Sequence, residues 1–261
     1  MLYYTKKRRQ YGILSPVSIK VIIATHKSYP MPADTAYLPV SVGASRHTGL
    51  GFQRDDVGDN ISRKNAGYCE LTGLYWAWKN LLGAEAVGLV HYRRHFKGAH
   101  GIATGSELVA ALGDKPCLLP RPRNYFIETT YSQYAHAHHA VDLDTTRTIL
   151  AERHSDFLPA FDAVMRLTKG HRFNMFVMRR PLFDDYCAWL FGVLFELEKR
   201  LDISSYSPYD ARVFGFVAER LLDVYIRAKS VPFAELPVLN LESQHWPTKI
   251  LRFLKRKFIR R

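Results

Sequence analysis

The chain has 261 residues, enough for one sizeable α/β domain or two small ones, and its 47% hydrophobic and 23% charged residues exclude a disordered or collagen-like chain. Its 37 Lys and Arg against 24 Asp and Glu give a net charge of +13, a value typical of proteins that bind nucleic acid, anionic membranes or phosphorylated substrates. Residues 6–9 and 249–261 carry most of this excess and leave about +2 for the rest of the chain. Nucleic-acid binding by the body of the protein is therefore not expected.

The predicted elements alternate between strands and helices along the chain. Strands are predicted at 18–25, 86–90, 116–120 and 173–178, where short apolar runs end in polar residues. Helical spacing of apolar residues predicts helices at 69–82, 105–112, 131–153, 184–201 and 211–227. Residues 26–60 are rich in Pro, Gly and polar residues and are predicted to form a long loop. This order favours a single α/β domain with a mixed, mostly parallel central sheet flanked by helices.

The two ends of the chain have a different composition from the domain. We divide the chain into a basic extension at 1–18, a domain at 19–245 and a basic amphipathic tail at 246–261. On a helical wheel the tail gathers its apolar residues on one face, as in helices that lie on anionic membranes, with a frayed end or a nucleic-acid contact as alternatives. These residues are Ile250, Leu251, Phe253, Leu254 and Phe258.

Cysteine usage and apolar run lengths bear on location. The three cysteines have no CxxC spacing, which argues against a disulfide framework and a structural zinc site. No apolar run has the length of a signal peptide or a membrane span. We therefore expect a cytoplasmic protein.

A basic motif follows the strand predicted at 86–90. His91, Arg93 and Arg94 lie where open α/β sheets bind ligands, and adjacent guanidinium groups match phosphate oxygens. The motif predicts diphosphate recognition or, alternatively, a structural ion pair with Glu70 or Asp59.

A polar run precedes the helix predicted at 69–82. A helix N-terminus attracts anions, so Asn60, Ser62, Lys64 and Asn65 are candidates for an anion site. Ordinary N-capping of a helix with an aromatic core stripe is the alternative.

Several acidic residues could act as a base or hold a metal ion. Glu219 lies beside Arg220 in an apolar segment, which predicts either a positioned base or a buried ion pair. Asp142 and Asp144 form a D-x-D pattern inside a predicted helix and are the alternative metal ligands.

Two further groups offer weaker metal sites. Adjacent Asp55 and Asp56 could hold a divalent ion or form a solvated loop pair. A histidine cluster lacks a further ligand at convincing spacing; it comprises His136, His138 and His139.

Five segments, in their order along the chain, make the sequence resemble the DUF4422 family of bacterial capsular and exopolysaccharide glycosyltransferases. They are IIATHK, DNISRKNAGYCELTGLYWAWKN, VGLVHYRRHF, FNMFVMRRPLFDDYCAWLFGVLFELEKRL and RVFGFVAERLL, and the resemblance covers residues 19–245. It implies a GT-A-like transferase that uses a nucleotide sugar, with UDP as the expected nucleotide; galactofuranose transfer occurs in some relatives.

The resemblance also implies roles for single residues. Where GT-A enzymes usually carry a D-x-D for Mn²⁺ or Mg²⁺, this chain has Arg93 and Arg94, which puts the metal in doubt and suggests that arginines neutralise the diphosphate. Glu219 is the expected base of an inverting reaction and needs no such role in a retaining one. Acceptor contacts are expected from Asn174, Tyr75 and Trp76. Donor contacts are expected from Thr25, His26, Lys27, Asp59, Asn60, Ser62, Lys64, Asn65, His91, Arg93 and Arg94.

Together these expectations describe a peripheral membrane enzyme at the inner face of the plasma membrane. It would transfer a hexose or galactofuranose from a nucleoside diphosphate to a lipid-linked glycan in surface polysaccharide synthesis. One alternative is a non-catalytic relative that binds sugar through Tyr75, Trp76 and Trp78. The other is a polyanion- or nucleic-acid-binding protein.

Overall fold

The computed structural model describes residues 17–242, so the predicted tail and all but the last two residues of the predicted extension lie outside the described residues. The strands are β1 (Ile19–Thr25), β2 (Tyr37–Ser41), β3 (Gln53–Arg54), β4 (Ala86–His91), β5 (Arg94–Gly98), β6 (Gly101–Ile102), β7 (Cys117–Pro120), β8 (Arg123–Asn124), β9 (Lys169–Gly170), β10 (Phe176–Arg179), β11 (Phe233–Leu236) and β12 (Val238–Asn240). The helices are α1 (Asn65–Tyr68), α2 (Leu71–Asn80), α3 (Gly105–Leu112), α4 (Thr130–Ala137), α5 (Ala140–Arg153), α6 (Leu158–Arg166), α7 (Arg180–Arg200) and α8 (Val213–Ala228). Among them, none is long and apolar enough to cross a membrane.

A mixed sheet forms the centre of the fold and confirms the predicted fold class. Its main strand order is β11-β7-β10-β4-β1-β2-β3, and neighbours run parallel except β10, which is antiparallel to β7 and β4. β5 extends the sheet through antiparallel pairs with β4, β6 and β12, while β8 and β9 form a separate two-stranded ribbon.

Both faces of the sheet are buried, which explains the continuous apolar runs of its strands. On β1, Ile22 and Ala24 belong to the larger core with α2, α7 and α8, whereas Val21 and Ile23 belong to a smaller core with α3. Successive strand residues point to opposite faces, so one short strand contributes to both cores.

The structure corrects three of the predicted elements. The predicted loop at 26–60 contains β2, which pairs with β1 from Val21–Tyr37 to Thr25–Ser41. The predicted helix at 131–153 is two helices, because His138 adopts an extended backbone and ends α4. The strand predicted from Phe173 begins only at Phe176, since Phe173 and Asn174 have positive φ angles of 74° and 51°.

Candidate functional site

A cavity of about 550 Å³ opens at the edge of the sheet where β1, β2 and β4 end. These strands are parallel, so their carboxyl ends meet there, and α8 closes the opposite side. The cavity is lined by Ala24, His26, Lys27, Val42, Asn65, Ala66, Cys69, Glu70, His91, Tyr92, Arg93, Arg94, Phe173, Pro208, Arg212, Gly215, Phe216 and Glu219.

A tight turn between β4 and β5 presents two arginines to this cavity. His91 pairs with Arg94 across the turn. The Arg94 guanidinium lies 4.4 Å from the centre of the Phe173 ring, and its pKa is lowered by burial and by neighbouring Arg93. Arg93 Nη1 contacts Glu242 Oε2 at 3.1 Å. Phe173 therefore holds the half-buried Arg94 guanidinium by a cation–π contact without neutralising it.

Helix α8 and the turn before it supply the facing wall. Arg212, Phe216 and Glu219 follow one another at helical spacing and line the cavity together. Arg212 Nε donates to Cys69 Sγ at 3.1 Å, while burial and the nearby Glu70 carboxylate raise the pKa of the Cys69 thiol to about 11. The thiol is thus protonated at neutral pH.

Glu219 both lines the cavity and forms an ion pair. The two predicted alternatives, a positioned base and a buried ion pair, are therefore not mutually exclusive. Its Oε2 atom lies 3.0 Å from Nη1 of Arg220, whose side chain is buried. Within residues 17–242 its Oε1 atom accepts no hydrogen bond. One oxygen is held in place and the other is available for a ligand.

Glu70 and His91 are fixed by contacts beneath the cavity. Asn174 Nδ2 donates to Glu70 Oε1 at 2.7 Å and to the Gly215 carbonyl at 3.1 Å. His91 Nε2 donates to the Phe173 carbonyl at 2.5 Å. Asn174 supports the cavity from below and is not among the residues that line it.

The described cavity lining is positively charged, which suits an anionic ligand. Burial, Lys27 and Arg93 lower the pKa of His26, as expected in a positive potential. A guanidinium group can donate two parallel hydrogen bonds to the oxygens of one phosphate. A ligand with two adjacent phosphates therefore matches the positive charge of this cavity. The lining has four Lys or Arg side chains against two carboxylates; they are Lys27, Arg93, Arg94 and Arg212 against Glu70 and Glu219.

Seven of the residues predicted for the site come together in this cavity. They are His26, Lys27, Asn65, His91, Arg93, Arg94 and Glu219. Thr25 lies directly beneath, where its hydroxyl donates to the Lys27 carbonyl at 2.6 Å and shapes the turn.

The rest of the polar run at 59–64 stabilises its own loop instead of lining the cavity. Asn60 Nδ2 donates to the Asp56 and Gly58 carbonyls, and Asp59 accepts from the Tyr75 hydroxyl at 3.2 Å. Lys64 forms an ion pair with Glu198 at 2.7 Å.

Ser62 belongs to a buried network around Asp55. Asp55 accepts from the Ser62 and Thr72 hydroxyls and from the backbone N–H groups of Gly43 and Ala44. The prediction of a solvated pair is wrong for Asp55, which is 0% exposed. Its oxygens are occupied by four donors, so it ties the end of β2 to α2.

The predicted aromatic acceptor residues lie outside the cavity. Tyr75 packs its ring edge-on against Phe191 at 5.0 Å, and Trp76 is buried in the larger core. Trp78 stacks on Phe191 at 5.9 Å. The aromatic stripe of α2 packs against α7.

The alternative metal ligands are also used elsewhere. Buried Asp142 accepts from the Tyr134 and Tyr206 hydroxyls at 2.7 and 2.6 Å, and Asp144 accepts from Tyr131. His138 pairs with Asp210 at 3.3 Å. Over residues 17–242 no group of three or more His, Cys, Asp or Glu is arranged to hold a metal ion.

Sequence reasoning missed several cavity residues. Arg212 and Phe216 share the helical spacing of Glu219, so the pattern that places Glu219 at the site also indicates these two residues. Cys69, Glu70 and Phe173 reach the cavity through tertiary contacts that no local pattern encodes.

The fold and the cavity define an α/β protein with a cation-rich site at the carboxyl edge of its sheet. The chain belongs to the family described as domain of unknown function DUF4422, which matches residues 20–230. It is similar to the apo structure of WbbM, a bifunctional glycosyltransferase, with 28% identity and a TM-score of 0.81. That similarity covers 87% of this chain and 46% of the other, so the chain spans less than half of its structural relative. No curated protein matches the sequence.

Proposed function

We propose that the protein is a glycosyltransferase that moves a sugar from a nucleoside diphosphate donor, with UDP as the nucleotide, to a glycan acceptor. The observation that carries this proposal is the excess of four cations over two carboxylates in a cavity at the carboxyl edge of the sheet. The similarity to a bifunctional glycosyltransferase supports it. A hexose or galactofuranose is the proposed sugar, and a lipid-linked glycan in surface polysaccharide synthesis is the proposed acceptor.

In the proposed reaction, the arginines stabilise the leaving diphosphate. The bond between the sugar C1 and the diphosphate oxygen breaks, and the negative charge on that oxygen grows. Arg93 and Arg94 on one wall, with Lys27 and Arg212 also in the cavity lining, are proposed to meet this charge. Such preorganised charges lower the barrier without reorganising during the reaction.

Glu219 is proposed as the base of an inverting reaction. The acceptor oxygen forms the new bond to C1, and its proton passes to Glu219 Oε1, while Arg220 keeps the other oxygen fixed at 3.0 Å. Phe216, one turn before Glu219, provides an apolar ring surface next to which an acceptor sugar can pack. A retaining reaction would not require this base, so Glu219→Gln distinguishes the two outcomes.

The donor set of the cavity does not fit the usual divalent ion. Its two carboxylates, Glu70 and Glu219, each have one oxygen held by a neighbour, Asn174 or Arg220, and over residues 17–242 no group of three or more His, Cys, Asp or Glu is arranged to hold a metal ion. Two arginines follow β4, at the position where GT-A enzymes usually carry a D-x-D. We therefore propose that the arginines supply the positive charge for the diphosphate.

Attachment to the inner face of the plasma membrane is proposed to bring the enzyme to a lipid-linked acceptor. The sequence of 246–261 motivates this, because its cations and apolar face suit an anionic membrane surface.

A thermal-shift screen tests the donor site directly, because a ligand that binds only the folded protein raises Tm. UDP, GDP and CMP are each added with Mn²⁺ or with EDTA to wild type, to Arg94→Ala and to Arg227→Ala, an exposed arginine of α8 outside the cavity. We expect UDP to raise Tm in wild type and Arg227→Ala but not in Arg94→Ala. If no nucleotide raises the Tm of wild type, the proposal is contradicted. Nucleotide binding without UDP release from UDP-sugars would indicate a non-catalytic relative.

A further inference from the structure

The turn after β8 exposes a compact group of large apolar side chains. Phe126 is 81% exposed, Ile127 70% and Leu167 43%. Two backbone hydrogen bonds of 2.7 Å tie the turn to the segment that contains Leu167. The Tyr125 N–H donates to the Thr168 carbonyl, and the Thr130 N–H donates to the Leu167 carbonyl. We refer to Phe126, Ile127 and Leu167 as the ribbon-tip patch.

The backbone fixes the exposure of these side chains. The Phe126 N–H donates to Asn124 Oδ1 at 2.8 Å, and the Ile127 N–H donates to the Tyr125 carbonyl at 2.8 Å. Phe126 has a φ of 62°, a conformation that is uncommon for a bulky residue and costs free energy. The fold therefore holds two neighbouring apolar side chains in solvent at a conformational cost.

Exposed cations lie close to the patch along the chain. Arg121 and Arg123 precede it, while Arg166 and Lys169 flank Leu167. Within residues 17–242, Arg121, Arg123 and Lys169 form no ion pair. The nearest acid along the turn, Glu128, is occupied by His136 at 2.6 Å. Exposed apolar side chains with unpaired cations next to them in the chain match an anionic lipid surface, which offers hydrocarbon beneath negative headgroups.

We propose that the ribbon-tip patch inserts into an anionic lipid bilayer, with these cations on the headgroups. The contact is separate from the tail at 246–261 and belongs to the folded domain. Lys169 in the ribbon is only four residues from Phe173 in the cavity wall, a span of about 14 Å at most. The bilayer contact thus keeps the cavity near the membrane. That this helps the cavity to reach a lipid-linked acceptor rests on the proposed function.

Vesicle binding by the full chain tests this contact. Kd is measured for vesicles of phosphatidylcholine alone and of phosphatidylcholine with phosphatidylglycerol at roughly 3:1. The test variant is Phe126→Ser with Ile127→Ser. The matched control is Val57→Ser with Leu82→Ser, which removes two apolar side chains that are 55% and 75% exposed elsewhere. All variants retain the tail, so its contribution is common to them.

We expect the Kd for anionic vesicles to rise at least about tenfold in the test variant and to stay within about twofold of wild type in the control. Arg121→Glu with Arg123→Glu is expected to weaken binding to anionic vesicles while leaving the weak binding to neutral ones unchanged. An unchanged Kd in the test variant overturns the proposal. If that variant instead converts a dimer to a monomer in light scattering, the patch is a protein interface and the proposal is equally overturned. The UDP-dependent rise in Tm should be the same in the test variant and wild type, which separates this test from that of the donor site.

Discussion

The side-chain amide of Asn174 donates to Glu70 Oε1 at 2.7 Å, and the same nitrogen donates to the Gly215 carbonyl at 3.1 Å. One residue, 1% exposed, therefore joins the segment before β10, the segment between α1 and α2, and helix α8. Its φ of 51° is tolerated better by asparagine than by most other residues. The shape of the cavity depends on this junction.

Asn174→Asp tests the donation without removing the tolerance for that backbone conformation. The new carboxylate has no N–H to donate and faces both Glu70 and a carbonyl oxygen, so we expect a loss of about 1–3 kcal/mol in the free energy of unfolding. Urea denaturation measures it. Asn124→Asp is the matched control, because exposed Asn124 only accepts from the Phe126 N–H, which an aspartate also does. Equal stability of both variants and wild type would contradict the junction role.

Arg94 is predicted to be the arginine on which sugar transfer depends most. It is half-buried, it packs on Phe173 at 4.4 Å and it carries its charge into the cavity. We expect Arg94→Ala to lower kcat by about 10²–10³, as for the loss of one preorganised donor. Arg94→Lys should restore little, because an ammonium group lacks the planar pair of donors. UDP release from UDP-sugars measures both, with Arg227→Ala as the control.

The sheet and its edge were predictable from the sequence because they depend on local patterns. Short apolar runs encode β1 and β4, and the motif after β4 places Arg93 and Arg94 at the carboxyl edge. β2 was not predicted because its five residues include Pro39 and lie between polar loops. Neither the helical nor the strand period of apolar residues can be recognised there.

The sequence does not show which residues of a predicted segment reach the cavity, because tertiary contacts decide their position. Asn60 and Asn65 are five residues apart in one polar run, yet only Asn65 reaches the cavity. Tyr75 on α2 packs against Phe191 of α7 with the rest of the aromatic stripe, and does not reach the cavity. Neighbouring residues of similar polarity therefore have different roles, and the packing of the helices on the sheet decides which role each one has.

Asp55 and Asp56 are adjacent acids, but substituting them is expected to affect stability to very different extents. Asp55 is buried and accepts from four donors, so Asp55→Ala leaves those donors unpaired, and we expect a loss of at least about 3 kcal/mol. Asp56 pairs with Arg54 on the surface, so Asp56→Ala should change stability little. Urea midpoints of the two variants measure the difference. Similar midpoints would show that Asp55 is not the anchor of this loop.

His171 is expected to make stability depend on pH. Burial lowers the pKa of His171, but hydrogen bonds and charge from Asp223 and Glu235 outweigh it and raise the pKa above 6.5. Its stabilisation is therefore complete below pH 6.5 and is lost as pH rises through the raised pKa. Wild type should lose stability relative to His171→Gln as the pH rises above about 6.5 in urea denaturation. Exposed His100→Gln serves as the control and should follow wild type.

Metal removal is the last test of how the diphosphate is neutralised. Arg93 and Arg94 bring two guanidinium groups to the cavity, whereas over residues 17–242 no group of three or more His, Cys, Asp or Glu is arranged to hold a metal ion. We therefore expect UDP release from UDP-sugars to be unchanged by excess EDTA and stimulated less than about twofold by Mn²⁺. Arg93→Ala should lose activity that Mn²⁺ does not restore. Loss of wild-type activity in EDTA with recovery on adding Mn²⁺ would show that a metal, and not the arginine pair alone, carries the charge.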